Sequence, residues 1–320
     1  MKKPLICLAP LAGYTNVAYR TFMKKFGCDL VVSEMISDFA LYYHNEETFK
    51  MLKTTEEEKP VAIQIFGGSE DSIIKGVEIL QSTAKYDYLD INLGCPVNKV
   101  IKNNAGSSWL QPYRKDELFN MVSHVVKISK KPVTCKIRLG WNEESINVVE
   151  TCMLLEKAGV SLITIHGRTR TQLYSGKANY QLIKEAKQSV SIPVIANGDI
   201  DSLDKAIEVL DYTGCEGIAL GRGALGNPYL IKQIKTYFEE GIRLPNPTLK
   251  MQLEFLIEHF EALVNLKGEY SSIREIRGIA SWYLKGFKNI KDYKVKFSSI
   301  NSREEFYSII NEIKENFNIN

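Results

Sequence analysis

Tyr88-Leu-Asp-Ile-Asn-Leu-Gly-Cys-Pro96 is the stretch whose reading decides the fold. It begins as a β-strand: alternation puts Asp90 and Asn92 on one face, opposite Leu89 and Ile91. It ends at Gly94 and Pro96, which break a strand and open a turn. The same pattern, a short apolar run closing on polar residues or glycine, recurs along the first 222 residues. The first run ends Ala9-Pro10-Leu11-Ala12-Gly13, the second Ser33-Glu34-Met35, and the third contains Gln64. The fifth carries Lys136 and Arg138, and the sixth His166-Gly167-Arg168. The seventh ends Asn197-Gly198-Asp199 and the eighth Gly221-Arg222-Gly223.

These runs predict strands at residues 5–9, 30–33, 61–65, 88–91, 133–137, 162–165, 193–196 and 217–220. Between and after them, amphipathic spacing predicts helices at 16–25, 45–53, 71–84, 115–129, 145–157, 180–188, 203–210 and 229–238. Eight strands each followed by a helix, over about 240 residues, is the count and size of an α/β (β/α)8 TIM barrel. The competing doubly wound sheet explains neither the count nor the polar strand ends. Gly241-Ile-Arg-Leu-Pro245-Asn-Pro247 then breaks the pattern. Beyond it the spacing is helical at 249–266, 271–287 and 303–317. The expected organisation is a barrel domain over 1–241 and a smaller, all-helical domain over 242–320.

The chain has 320 residues and a formal net charge of +3, with 44% hydrophobic and 25% charged residues. That is ordinary globular composition, long enough to bury a core without covalent staples. No run of about 18 apolar residues is present, and Pro4 and Pro10 interrupt the apolar start, so no membrane span is expected. The six cysteines include no C-x-x-C pair, and the histidine spacing suggests no metal. A reducing, cytoplasmic setting is the simple reading, and no obligate protein partner is evident.

In a barrel the site lies at the C-terminal strand ends. Lys136 and Arg138 share parity and both face the mouth, while Val133, Cys135 and Ile137 face the helices. The glycine turns at 197–199 and 221–223 fall where barrels bind phosphate, and Arg222 suits a phosphate partner. Cys95 opens a loop of about 20 residues, expected to be an unstructured lid or binding loop; its thiol suits a general acid or a nucleophile. Glu34 fits a supporting acceptor better than a base. His44, His124 and His259 read as surface or satisfied polar residues. Charge is local: eight basic residues lie between Arg274 and Arg303 against Glu275 and Asp292. Arg274, Arg277, Lys285 and Lys288 step at helical spacing into one stripe, with Trp282, Tyr283 and Phe287 interleaved. Basic residues among aromatics suit a nucleic-acid backbone. Arg168, Arg170, Lys177, Lys99 and Lys102 extend the same sign toward the mouth.

The sequence resembles the tRNA-dihydrouridine synthases, most of all their bacterial B-type branch. The matching stretches are Ala9-Pro-Leu-Ala-Gly-Tyr-Thr-Asn16, Asp90-Ile-Asn-Leu-Gly-Cys-Pro-Val-Asn-Lys99, Lys136-Ile-Arg-Leu-Gly140, His166-Gly-Arg-Thr-Arg170, Ile192-Pro-Val-Ile-Ala-Asn-Gly-Asp199 and Gly221-Arg222. Leu11 departs from the methionine common there, a volume-conserving change. The resemblance implies a barrel with tightly bound FMN that reduces the C5–C6 bond of uridine in tRNA, with NADPH as reductant. It implies FMN contacts from Pro10, Leu11, Ala12, Gln64, Lys136, His166, Asn197, Gly198, Asp199, Gly221 and Arg222. It makes Cys95 the acid that protonates C5 while hydride reaches C6, and Asn92, Arg138 and Tyr174 the residues that hold uracil. Arg168, Arg274, Arg277, Lys285 and Lys288 are the expected RNA contacts. An FMN barrel acting on a small molecule such as dihydroorotate, a flavin-free phosphate-binding barrel, a non-catalytic RNA-binding module, and an enzyme acting on ribosomal RNA are the competing readings.

Overall fold

A computed structural model describes residues 3–319. Eight parallel strands close into a barrel in chain order: β1 (Leu5–Leu8), β2 (Leu30–Ser37), β3 (Val61–Phe66), β4 (Tyr88–Leu93), β5 (Val133–Arg138), β6 (Leu162–His166), β7 (Val194–Asn197) and β8 (Gly217–Leu220). The expected α/β barrel is therefore present. Alternation sets its two surfaces. Ile63, Leu89, Ile91, Cys135 and Ile137 are buried in the large core that includes the helices, while Cys7, Ala9, Ile195 and Ala219 form a separate small cluster.

Strand register sets the site. Gln64 on β3 pairs with Asp90 on β4, and Asp90 with Thr134 on β5. Asn92 pairs with Lys136, Arg138 with His166, and His166 with Asn197. Chemical side chains expected from five separate stretches thus stand on neighbouring strands.

The structure corrects several details. β2 runs on to Ser37 through a register shift between Val32 and Met35, so Glu34 and Met35 lie within the strand. The expected helix at 45–53 is present as Glu46–Met51, and a short helix that the sequence reading did not give, Asp38–Tyr42, precedes it. The loop after β4 is folded, with a helical turn at Asn98–Ile101 and 3-10 turns at Gly106–Leu110 and Pro112–Arg114. Trp109 is its anchor: buried, it donates from Nε1 to the Gly67 carbonyl at 2.9 Å and lies 3.6 Å from the Arg114 guanidinium. Arg114 also donates to the Asn104 and Gly68 carbonyls.

The C-terminal part holds four helices, Leu249–Lys267, Glu269–Tyr283, Lys291–Ser299 and Arg303–Asn316. The third has no counterpart in the sequence reading because it buries only Tyr293 and Phe297, too sparse a face for periodicity to reveal. The second stops at Tyr283, and Gly286 turns the chain at φ +91°. Lys285 and Lys288 thus leave the helix carrying Arg274 and Arg277, and the single four-residue stripe does not form.

These helices pack directly on the barrel. Phe22 stacks on His259 at 5.6 Å, and Phe26 meets Phe255 edge-on at 5.1 Å. His259 is fully buried, bonded through Nδ1 to the Tyr283 hydroxyl at 2.9 Å, and burial pulls its pKa down to about 3. Gly226, at φ +65°, has its missing Cβ position 2.2 Å from the Trp282 backbone, so no side chain fits there. One continuous core spans barrel and tail.

Candidate active site

A cavity of about 1140 Å³ opens at the C-terminal ends of the strands. Its wall takes in Cys95, Asn92, Arg138, Tyr174 and Lys285. It also takes in every expected cofactor contact: Pro10, Leu11, Ala12, Gln64, Lys136, His166, Asn197, Gly198, Asp199, Gly221 and Arg222. Arg168, Arg274, Arg277 and Lys288 lie outside that wall.

Cys95 is half-buried just past β4. Its N–H and that of Gly94 donate to Asn92 Oδ1 at 2.9 and 3.2 Å, and its carbonyl accepts from Ser107 N at 3.1 Å. The local turn needs Gly106 at φ +59°, because a Cβ there would sit 2.7 Å from the Cys95 carbonyl oxygen. Burial raises the thiol pKa above its ordinary value, outweighing the opposing pull of Arg138 and Lys136. The group is therefore a protonated thiol at neutral pH, suited to give a proton rather than attack as a thiolate.

Lys136 makes no hydrogen bond or ion pair with another described residue. Burial, then Arg138, pulls its pKa down to about 8. An unpaired, half-buried ammonium is costly unless an anionic or electron-rich ligand meets it. His166 is pushed far below its usual range, first by burial and then by Lys136, Arg138, Arg168 and Arg222, so it is neutral. Arg222 also lacks a hydrogen-bond partner among the described residues; its guanidinium lies 4.6 Å from the Tyr174 ring, with Arg138 5.6 Å from the same ring. Arg138 donates from Nε to the Gly94 carbonyl and from Nη1 to the Thr169 and Leu173 carbonyls, holding the loop that carries Tyr174.

The turns after β7 and β8 depend on backbone. Gly198 sits at φ +120° with a Cβ position 2.9 Å from Ala178. Asp199, at φ +52°, turns its carboxylate away to Ala178 N and Arg168 Nη2, each at 2.8 Å. At Gly221 a Cβ would meet nothing closer than 3.8 Å, so the backbone there lies open to the cavity.

Two expected RNA contacts are engaged within the protein itself by this geometry. Arg168 is buried; besides Asp199 it bonds the Ser175 and Gly176 carbonyls at 2.9 and 2.7 Å, leaving it a structural tie. Arg277 is drawn into the tail, donating to the Ile300 carbonyl at 2.6 Å and to Asn301 Oδ1 at 2.8 Å. Lys288 is exposed but off the cavity wall. Sequence reasoning missed Tyr14 and Gln252 on that wall. Gln252 sits on a helix with nothing local to mark it, whereas Tyr14 lay within a quoted motif. It also gave no role to Asp90, although alternation had put Asp90 on the face of Asn92. Among the described residues no cluster of His, Cys, Asp or Glu could hold a metal ion, and no helix is long and apolar enough to cross a membrane.

Fold and site together define a (β/α)8-barrel enzyme with a protonated thiol and a cationic mouth. The model of the family "Dihydrouridine synthase (Dus)" matches residues 7–318. tRNA-dihydrouridine synthase B of Shewanella oneidensis is 37% identical over 97% of this chain and 95% of its own. Its counterpart in Pseudomonas putida is 37% identical over 92% and 87%. A probable tRNA-dihydrouridine synthase of Rickettsia bellii is 35% identical over 90% and 88%. This chain belongs to the dihydrouridine synthase family. Among solved structures, an old yellow enzyme homologue from Zymomonas mobilis shares the fold, with a TM-score of 0.54 and 12% identity over 78% of this chain and 92% of that one.

Proposed function

We propose that this enzyme reduces the C5–C6 double bond of uridine in tRNA to 5,6-dihydrouridine, with FMN held in the barrel mouth and NADPH as reductant. The names of its relatives support the substrate. One observation carries the cofactor reading: Lys136 and Arg222, both cationic and both without a hydrogen-bond partner among the described residues, face one cavity beside the open backbone of Gly221. A phosphorylated, electron-accepting ring system fits that set. Gly221, Arg222, Gly198 and Asn197 would hold the phosphate end; Lys136, His166, Gln64 and the Pro10–Leu11–Ala12 backbone would hold the ring. When bound, FMN supplies the reducing equivalents that arrive at C6.

The chain's own residues do the rest. Arg138 has Nη2 free of any described partner and can bond a uracil carbonyl, offsetting charge that develops on oxygen. Tyr174, 52% exposed, offers its ring at the cavity edge. Cys95 Sγ holds the proton that goes to C5. A uridine must leave its stack to enter a barrel mouth, and cationic surface such as exposed Lys285 holds the RNA while it does so. The visible spectrum of the purified protein, with mass analysis of the group released on denaturation, tests the cofactor. Flavin absorption and released FMN are expected. A colourless protein that FMN cannot reconstitute contradicts the proposal.

A further inference from the structure

A chain of buried side chains runs beneath Cys95. Thr134 Oγ1 donates to Asp90 Oδ1 at 2.5 Å, and Gln64 Nε2 donates to Asp90 Oδ2 at 2.6 Å. Asn92 Nδ2 donates to Gln64 Oε1 at 2.7 Å. Asn92 Oδ1 then accepts the Gly94 and Cys95 N–H groups. Gln64 is fully buried, Thr134 and Asp90 nearly so, and Asn92 is 8% exposed.

The direction of the amide bonds in this chain is determined. Backbone N–H groups can only donate, so Asn92 must turn its oxygen to them. Its amide nitrogen therefore faces Gln64, which must answer with oxygen. The Gln64 nitrogen then faces Asp90, which must accept. A carboxylate accepts on both oxygens and meets the demands of Gln64 and Thr134 together. The opposite polarity would set an amide N–H against the Cys95 N–H, leaving two buried donors unpaired. β-Register makes the chain possible, because Gln64, Asp90 and Thr134 are direct partners across β3, β4 and β5.

We propose that Asp90 is a positioning residue for the reaction: as an obligate acceptor at the base of the relay, it orients Gln64 and Asn92 and so fixes the turn that presents Cys95. Asp90 does not touch the reacting atoms. The inference rests on the proposed role of Cys95 as the acid, but its first test does not. Asp90→Ala removes the acceptor. Asp90→Asn can keep the relay, with its oxygen toward Gln64 and its amide toward the Thr134 hydroxyl. Gln64→Met cuts the relay one link further on.

Two readouts separate the claims. The first is the rate at which iodoacetamide alkylates Cys95 in the purified protein, located by peptide mass spectrometry; it needs neither RNA nor reductant. Asp90→Ala and Gln64→Met are expected to change that rate at least severalfold, while Asp90→Asn restores it toward wild type. The second is the single-turnover rate of dihydrouridine formation. Asp90→Ala is expected to lose roughly tenfold or more with KM little changed, because a misplaced acid slows the chemical step. Asp90→Asn is expected to recover most of that loss. Wild-type alkylation in both folded variants that cut the relay overturns the proposal, as does an Asp90→Asn enzyme as impaired as Asp90→Ala. Altered alkylation in an enzyme whose dihydrouridine formation is indifferent to Cys95 would leave the relay standing and remove the acid.

Discussion

Cys95 and Lys136 carry opposite demands on protonation, and each has a pH signature. Burial holds the Cys95 thiol above its ordinary pKa, so the proton-donating form persists through neutral pH. The single-turnover rate of the flavin-loaded enzyme should be flat through neutral pH and fall only above the ordinary cysteine range. A rate that rises with pH through neutrality would mean that thiolate is the active form. Lys136 is pulled down to about 8 from 10.5. Its folded pKa lies below its unfolded one, so the unfolded chain holds the extra proton between those values and stability of the cofactor-free protein rises with pH there. Anion binding has the reverse dependence, because it needs the ammonium. FMN affinity of the cofactor-free protein, followed by flavin fluorescence, should weaken as pH rises above about 8. Lys136→Met should bind more weakly and lose that dependence.

The elements show how far local pattern reaches. Period-2 alternation found the strands and put Asp90 with Asn92 and Lys136 with Arg138, because a strand's two faces follow directly from the pleat. It could not reveal the relay, which needs β3, β4 and β5 in register. It also misjudged Arg168 and Arg277: a cation in sequence does not disclose whether carbonyls from distant turns will enclose it. The loop after β4 looked unstructured because its order comes from Trp109 meeting Gly67 and Arg114, partners on other segments. Likewise the break at Tyr283 is written in Gly286, which a helical count of basic residues passed over. Gly226 is a test at this scale. Gly226→Ala adds a Cβ at φ +65° against the Trp282 backbone and should cost about 2–4 kcal/mol. A lowered unfolding midpoint in denaturant, with the slope unchanged, is the expected result. An unchanged midpoint would mean that the joint between barrel and tail is loose.

At the scale of the whole molecule, a nearly neutral chain concentrates its positive charge. The barrel mouth gathers Lys136, Arg138 and Arg222, and the tail adds the exposed Lys285 and Lys288 beside it. A phosphate backbone crossing from tail to mouth meets both. Charge reversal at Lys285 and Lys288 should weaken tRNA binding and flatten its dependence on salt, while the flavin spectrum stays as it was. Equal binding by wild type and variant at low and high salt would remove the tail turn from the RNA surface. The continuous core between barrel and helices means that this surface is held in a fixed relation to the site rather than tethered to it.

The most direct test of the account is the dihydrouridine formed in unmodified tRNA transcript after incubation with the purified enzyme, FMN and NADPH, quantified by nucleoside mass spectrometry beside Cys95→Ala. Dihydrouridine from the wild type, with little or none from the variant, is the predicted result. Equal product from both would contradict Cys95 as the acid. No product from a flavin-loaded wild type would contradict reduction of uridine in tRNA.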